Sequence, residues 1–482
     1  MNLRIILRSL GMLLVCECIT LFLPLITALI YKEGDFLAFL ITIFAISIFS
    51  FPLILIKPKD KNIDTKTGAI IVSVGWVLIS FFGALPFYLS KVIPSFIDAF
   101  FESSSGFTTT AATILTEIDS LPHGILLWRS FTHWIGGMGI LLLTIAMLPS
   151  MGIGSVQIMK AESPGPMTEK MVPRLGSNAK ILYRIYLGLT VLATILLMLA
   201  GMNFYDALLH AFSTVGTGGF SNRQLSIGYY NSTLINGIIM VFMLLSSINF
   251  SLYYFLLKGN FKKLWKDEEL RLYLLMIIST ILLIMLNLLY TGYYPSLSTA
   301  FRYASFEVIS VMTTTDFFTT DYSLWPMFSQ ILLLTLMFIG GCTGSTSSSI
   351  KVVRFLLVFK TMLYSFKRLI HPNACYAVHF NGRQVEPETT QGVASYFFVY
   401  GLVFFLGVII ISLNNYDVAT TISSVISTLN NIGSGISLVG PMGNFSKFSD
   451  LSKITFSALM IIGRVEIYPI LLLLVPELWR RQ

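Results

Sequence analysis

The chain is built from long apolar runs separated by short polar stretches. A helix crossing about 30 Å of hydrocarbon needs about 20 predominantly apolar residues. The pattern predicts ten such spans, at 9–31, 36–57, 67–90, 122–148, 179–201, 232–258, 270–292, 325–363 (interrupted), 391–414 and 451–476. Arg4 and Arg8 ahead of the first run imitate a signal peptide. The run is too long for one and no small-residue cleavage site follows, so it reads as a retained helix. Four of the connecting stretches share a second pattern: a semi-polar, helix-like stretch, a run of Thr, Gly or Asn, then the next span. They read SFIDAFFESSSGFTTTAAT (95–113), NFYDALLHAFSTVGTGGFS (203–221), SLSTAFRYASFEVISVMTTTDFFTT (296–320) and YDVATTISSVISTLNNIGSGIS (416–437). Aligned on these runs, they end at Ala111, Gly218, Asp316 and Gly433, 107, 98 and 117 residues apart. Repetition at this length marks one supersecondary unit copied four times. Each unit is a span, a short re-entrant helix, an irregular segment and a span.

Composition narrows the function. Of 482 residues, 55% are hydrophobic and 12% charged, about half the charged share of a soluble domain. That excludes a soluble globular enzyme, a disordered chain and a nucleic-acid binder with a basic face. The 32 Lys and Arg residues are placed asymmetrically. With the N-terminus in the cytoplasm, 24 fall on inner segments: before the first span, Lys57–Lys66, Lys160–Arg184, Lys258–Arg271, Lys351–Arg383, and Arg480 with Arg481. Five fall outside (Lys32, Lys91, Arg223, Arg302, Lys447), and Arg129, Lys453 and Arg464 lie near or within spans. Basic residues gather on the cytoplasmic side, so both termini are expected inside, with the basic face against anionic lipid. The four cysteines (Cys16, Cys18, Cys342, Cys375) form no CxxC pair and suggest no disulfide framework. The five histidines are scattered, and neither HExxH nor a P-loop nor a helix-opening GxGxxG occurs. A catalytic role is therefore not expected, nor a nucleotide site within this chain.

Irregular backbone at membrane depth is tolerated only where protein buries it or water lines it. Four such segments meet that condition together by surrounding one axis. Their carbonyls and Thr hydroxyls would then replace the hydration shell of a monovalent cation, and short helices directing their C-termini at the axis would add partial negative charge. A second irregular stretch, GGCTGSTSSS, covers Gly340, Gly341, Cys342, Thr343, Gly344, Ser345, Thr346, Ser347, Ser348 and Ser349 and interrupts the 325–363 span. Glycine and serine do not carry a helix readily, so these residues read as a flexible intramembrane loop. Arg464, mid-span in MIIGRVEIYP, needs partners such as Glu466 or backbone carbonyls. Arg129 reads as a helix-end anchor near the outer interface, and Glu102 and Glu307 as polar packing within re-entrant helices.

SGFTTTAAT, STVGTGGFS, VMTTTDFFTTDY and TLNNIGSG resemble the four pore loops of the Trk/Ktr/HKT superfamily of cation transporters. FIGGCTGSTSSSIKVVR (338–354), HPNACY (371–376) and GRVEIYPILLLLVPELW (463–479) resemble its TrkH branch, and the likeness runs nearly end to end. It implies an all-α polytopic membrane protein of a bacterial cytoplasmic membrane, with four pseudo-symmetric repeats around one central pore. Two extra N-terminal helices (1–60) would precede repeats at 61–155, 156–262, 263–370 and 371–482. It further implies potassium uptake, a homodimer, gating by the 340–349 loop, and a cytosolic TrkA-like nucleotide-binding ring docked on the basic face. Arg464 would tune the pore with its positive charge. Carried over by position, the ion-binding layers are Thr108/Val215/Thr313/Asn430, Thr109/Gly216/Thr314/Asn431, Thr110/Thr217/Thr315/Ile432 and Ala111/Gly218/Asp316/Gly433. The family usually has glycine throughout the last layer. Ala111 and Asp316 depart from this, which keeps a Na⁺-permeable or Na⁺/H⁺-coupled transporter as the alternative. Asp316 itself reads either as a substitute turn residue or as a carboxylate beside the ion path.

Overall fold

The computed structural model describes residues 3–58, 64–139, 175–373 and 377–476. The end of the span expected at 122–148, most of the Lys160–Arg184 stretch, Cys375, Arg480 and Arg481 lie outside these residues. The regular structure of the described chain is helical apart from one small hairpin, in which His379–Phe380 pairs antiparallel with Arg383–Gln384, and an isolated parallel bridge between Ile339 and Ile350.

Among the described residues, six helical segments are long and apolar enough to cross a bilayer: Leu3–Tyr31, Phe36–Leu55, Lys66–Leu89, Ile181–Leu199, Glu268–Tyr290 and Pro387–Asn414. Two of the spans expected from hydropathy are not continuous. The 232–258 run breaks between Ser247 and Phe250 and turns by 97°, where the Asn249 side chain caps the new helix by accepting from Ser251 N (2.8 Å). The 451–476 run stops at Arg464 and restarts at Tyr468, because Glu466 and Ile467 take positive φ (58° and 69°). Hydropathy alone does not register either break.

The distribution of side chains is inverted relative to a soluble protein. Large apolar groups such as Phe44, Leu199 and Phe398 are exposed, while the interior holds buried Ser, Thr and Asn. A hydrocarbon solvent makes this arrangement favourable, since exposed apolar surface loses nothing there and polar groups find partners between helices.

Four short helices occupy that interior: Phe96–Phe107, Phe204–Val215, Leu297–Met312 and Val418–Leu429. Three start at a side-chain cap, with Ser95, Asn203 and Asp417 accepting from the amides of Asp98, Asp206 and Thr420. Each cap satisfies one of the amides a helix start leaves open. The set closes on itself, because the Asp450–Arg464 helix packs against both the fourth short helix and the first. Two glycines allow the close approaches. A Cβ on Gly136 would strike the Phe107 carbonyl, and one on Gly463 would strike the Leu429 carbonyl. The last residue of the short helix thus meets a glycine of the following span in both the first and the fourth unit.

Candidate functional site

All four short helices end in one hydrogen-bonding scheme. In the first, the amides of Thr108, Thr109 and Thr110 donate to the carbonyls of Ser104, Gly106 and Ser105 (2.9, 3.1 and 2.9 Å). Gly216, Thr217 and Gly218 repeat it onto Phe212, Thr214 and Ser213; Thr313, Thr314 and Thr315 onto Ile309, Val311 and Ser310; and Asn430, Asn431 and Ile432 onto Ile426, Thr428 and Ser427. This corrects the register of the second segment by one residue. Val215 is the last helical residue, and Gly216 takes the capping place that Thr108, Thr313 and Asn430 take elsewhere. The layers are therefore Thr108/Gly216/Thr313/Asn430, Thr109/Thr217/Thr314/Asn431, Thr110/Gly218/Thr315/Ile432 and Ala111/Gly219/Asp316/Gly433.

Backbone dihedrals follow the corrected register without exception. Positive φ occurs at the second place (Thr109 56°, Thr217 54°, Thr314 55°, Asn431 53°) and at the fourth (Ala111 65°, Gly219 84°, Asp316 63°, Gly433 117°). For a β-branched threonine this is an outlier, at about 1–3 kcal/mol each. Their amides being committed to the helix ends, the carbonyls are left over. No backbone N–H among the described residues donates to the carbonyls of Thr109, Thr110, Thr217, Gly218, Thr314, Thr315, Asn431 or Ile432. All eight residues are buried. Buried carbonyls require a partner, and carbonyl oxygens are groups that can replace a cation's water.

Neighbouring segments touch. Asn431 Nδ2 donates to Thr110 Oγ1 (2.9 Å). A Cβ on Gly219 would meet the Thr315 carbonyl, and one on Gly433 would meet the Thr110 carbonyl and, at 2.5 Å, Asp316 Oδ2. The fourth-place residues Ala111, Gly219, Asp316 and Gly433 all line one cavity, with Arg129, Arg223 and Met442 on its walls. Asp316 turns its carboxylate sideways onto the fourth segment: Oδ2 accepts from Ser434 N (2.7 Å), Oδ1 accepts from Ser434 Oγ, and Tyr322 Oη lies 2.7 Å from that hydroxyl.

The second-place residues are held from the opposite end. Thr109 Oγ1 accepts from Arg464 Nη1 (3.1 Å), Thr217 Oγ1 donates to Thr346 Oγ1 (3.4 Å), Thr314 Oγ1 accepts from Ser348 N (2.9 Å), and Asn431 Nδ2 also donates to Met460 O (2.8 Å). The 340–349 stretch thus lies across the ends of the segments, with Ser349 Oγ also reaching Asn430 Oδ1 (3.1 Å). Instead of hanging loose, it is densely bonded. Gly340 N donates to Ile350 O, Gly341 N to Ser347 Oγ, Cys342 N to Ser247 O and Ser345 Oγ to Cys342 O, while Gly344 O accepts from Phe250 N.

Arg464 joins the two layers of this assembly. Besides Thr109 it donates to Thr346 O (3.1 Å), Ser348 Oγ (2.7 Å), Gly136 O (2.5 Å) and Gly137 O (3.0 Å). Backbone carbonyls are its partners as expected, but Glu466 pairs with Arg354. Arg129 differs more. It is buried, paired with Glu102 at 2.7 Å, stacked 3.5 Å over Phe220 and bonded to Ser221 O (3.0 Å). It ties the first unit to the second instead of anchoring a helix end. Glu102 and Glu307 do bind neighbouring polar groups, each accepting from a backbone amide beyond its own segment (Ile114 and Thr319). His210 takes the corresponding place in the second unit and contacts Ser221 Oγ (3.0 Å). Sequence reasoning missed this brace, although Glu102, His210 and Glu307 each lie six residues before their helix-end cap.

Residues 36–481 match the TrkH family model, described as a cation transport protein. The Trk system potassium uptake protein TrkH of Salmonella typhimurium is 40% identical over 484 residues, covering 100% of both chains. The protein of that name from Escherichia coli K12 is 39% identical over the same extent. The crystal structure of the potassium transporter TrkH from Vibrio parahaemolyticus superposes with a TM-score of 0.88 at 37% identity, again covering 100% of both chains.

Proposed function

The chain belongs to the TrkH family of cation transport proteins, and from that premise we propose that it takes up potassium through a single-file path between its four segments. The observation that carries this reading is the set of eight buried carbonyls to which no backbone N–H among the described residues donates. Potassium would shed water against them, with Thr109, Thr217, Thr314 and Asn431 at one end and Ala111, Gly219, Asp316 and Gly433 at the other. Alternating handedness is the means by which short segments direct carbonyls inward, and the bonds from Arg464, Thr346, Ser348 and Met460 keep the strained second places in that form. Inward movement needs no second chemical step, because one charge gains about 2.3 kcal/mol per 100 mV.

On this reading the 340–349 loop is the gate. It crosses the path where the segments end, and Arg464 holds it to Thr109 and to Gly136–Gly137. A potassium ion passing that point requires the loop to move. The repeats would run 61–155, 156–262, 263–370 and 371–482 after two N-terminal helices (1–60), in a bacterial cytoplasmic membrane with both termini inside. The family likeness supports a homodimer and a cytosolic TrkA-like nucleotide-binding ring on the basic face.

Two measurements test the proposal. Expression in a bacterium lacking potassium uptake should restore growth at low external K⁺. Purified protein in liposomes should pass K⁺ down its gradient, and deletion of residues 344–348 should raise that flux. Absence of K⁺ flux from folded, reconstituted protein would overturn the function, and unchanged flux after the deletion would overturn the gate.

A further inference from the structure

A buried carboxylate outside the ion path joins the two stems of the 340–349 loop. Glu269 stands in the first turn of the Glu268–Tyr290 helix and is 4% exposed. Its Oε1 accepts from Thr343 N (2.7 Å), Thr343 Oγ1 (3.1 Å) and Val353 N (3.2 Å). Thr343 lies at the loop's start and Val353 in the first turn of the helix that follows it. One oxygen therefore spans the loop's entry and exit.

The residues just before Glu269 face a different partner. Asp267 Oδ2 accepts from Asn381 Nδ2 (2.9 Å), Glu268 N donates to Asn381 Oδ1 (2.9 Å), and Glu268 Oε1 accepts from Asn381 N (3.1 Å). Lys360 pairs with Glu268 and donates to His379 O (2.7 Å). Asn381 is the exposed turn residue of the 379–384 hairpin, at φ 49°. Three consecutive acidic residues at one helix end thus connect an exposed hairpin to a buried loop.

We propose that Glu269 is the latch that holds the 340–349 loop against the ends of the four segments, and that the 379–384 hairpin is the handle by which a cytosolic event releases it. This rests on the gate reading of the loop. Glu269 touches no ion and acts through Thr343 and Val353, so it is a positioning residue. A pull on the hairpin shifts the start of the Glu268–Tyr290 helix, and both stems lose their shared acceptor together. A loop with separated stems no longer presents Thr346 and Ser348 to the segments.

The test is radioactive rubidium influx into liposomes carrying the full chain alone, compared for wild type, Glu269→Ala, Glu269→Gln, Thr343→Val, Asn381→Gly and the 344–348 deletion. Glu269→Ala removes the shared acceptor of all three bonds and should raise basal flux about tenfold. Glu269→Gln keeps an acceptor oxygen, and Thr343→Val removes one of the three bonds; each should raise flux about two- to threefold. Asn381→Gly tolerates the positive φ while freeing the hairpin, and should fall between these and Glu269→Ala. The K⁺/Na⁺ flux ratio should stay at the wild-type value in every point variant, which a merely damaged fold would not preserve. Wild-type flux in Glu269→Ala beside raised flux in the deletion would overturn the latch and leave the gate standing. Wild-type flux in both would overturn both. Should Glu269→Ala not fold, unchanged flux in Glu269→Gln and Thr343→Val together overturns the latch.

Discussion

The first and third segments reach the same backbone form as the second and fourth, but with different residues. Gly219 and Gly433 take the left-handed fourth place without a side chain, whereas Ala111 and Asp316 take it with one. For an L-residue with a Cβ this conformation is disfavoured by about 1–2 kcal/mol. Asp316 offsets it through its bonds to Ser434, and so turns a strained position into a tie between the third and fourth segments. Ala111 has no side-chain polar group to make such a tie. Both glycines are sterically required: the Thr110 carbonyl and the Asp316 carboxylate occupy the space a Cβ on Gly433 would need, and the Thr315 carbonyl the space one on Gly219 would need. The four places therefore share a conformation and differ in why their residue is present. Two are steric necessity, one is a fastening, and one is tolerated strain.

Substitutions rank accordingly. Gly433→Ala adds a clash with backbone to the left-handed strain, together about 2–5 kcal/mol, and should abolish uptake in the growth assay. Asp316→Gly relieves strain but unties Ser434, and should lower the K⁺/Na⁺ flux ratio about fivefold, equivalent to about 1 kcal/mol. Asp316→Asn retains an acceptor for Ser434 N and should stay within about twofold of wild type. A loss in Asp316→Asn as large as in Asp316→Gly would assign the effect to charge and not to the tie. Ala111→Gly should change least. It relieves about 1–2 kcal/mol of strain against about 0.5–1 kcal/mol of added unfolded-state freedom, so thermal melting should rise by a few degrees with flux unaltered. A fall in the melting temperature would show that Ala111 packs in a way that offsets its φ.

Much of this was legible in the residues themselves. Thr108–Ala111, Thr313–Asp316 and Asn430–Gly433 could be placed because each run follows an apolar helical stretch and is bounded by a distinct residue type. The second run, Val-Gly-Thr-Gly-Gly, fits two registers one residue apart, and only the amide of Gly216 closing onto Phe212 decides between them. The breaks after Ser247 and Arg464 were hidden because hydropathy averages over them. Arg129 looked peripheral because its partner Glu102 is 27 residues away and on another helix. Glu269 was invisible for a related reason. In the sequence DEEL it resembles any acidic helix start facing water, and only the fold brings Thr343 and Val353 to it.

Whether the carbonyls of the four segments hold a dehydrated cation is decided by locating thallium or rubidium in an experimental map of the protein. Density is expected on an axis between the four segments, level with the carbonyls of Thr109, Thr217, Thr314 and Asn431 and of the residues that follow them. Transport-competent protein soaked in the ion, with that axis empty and the ion bound elsewhere, would contradict it.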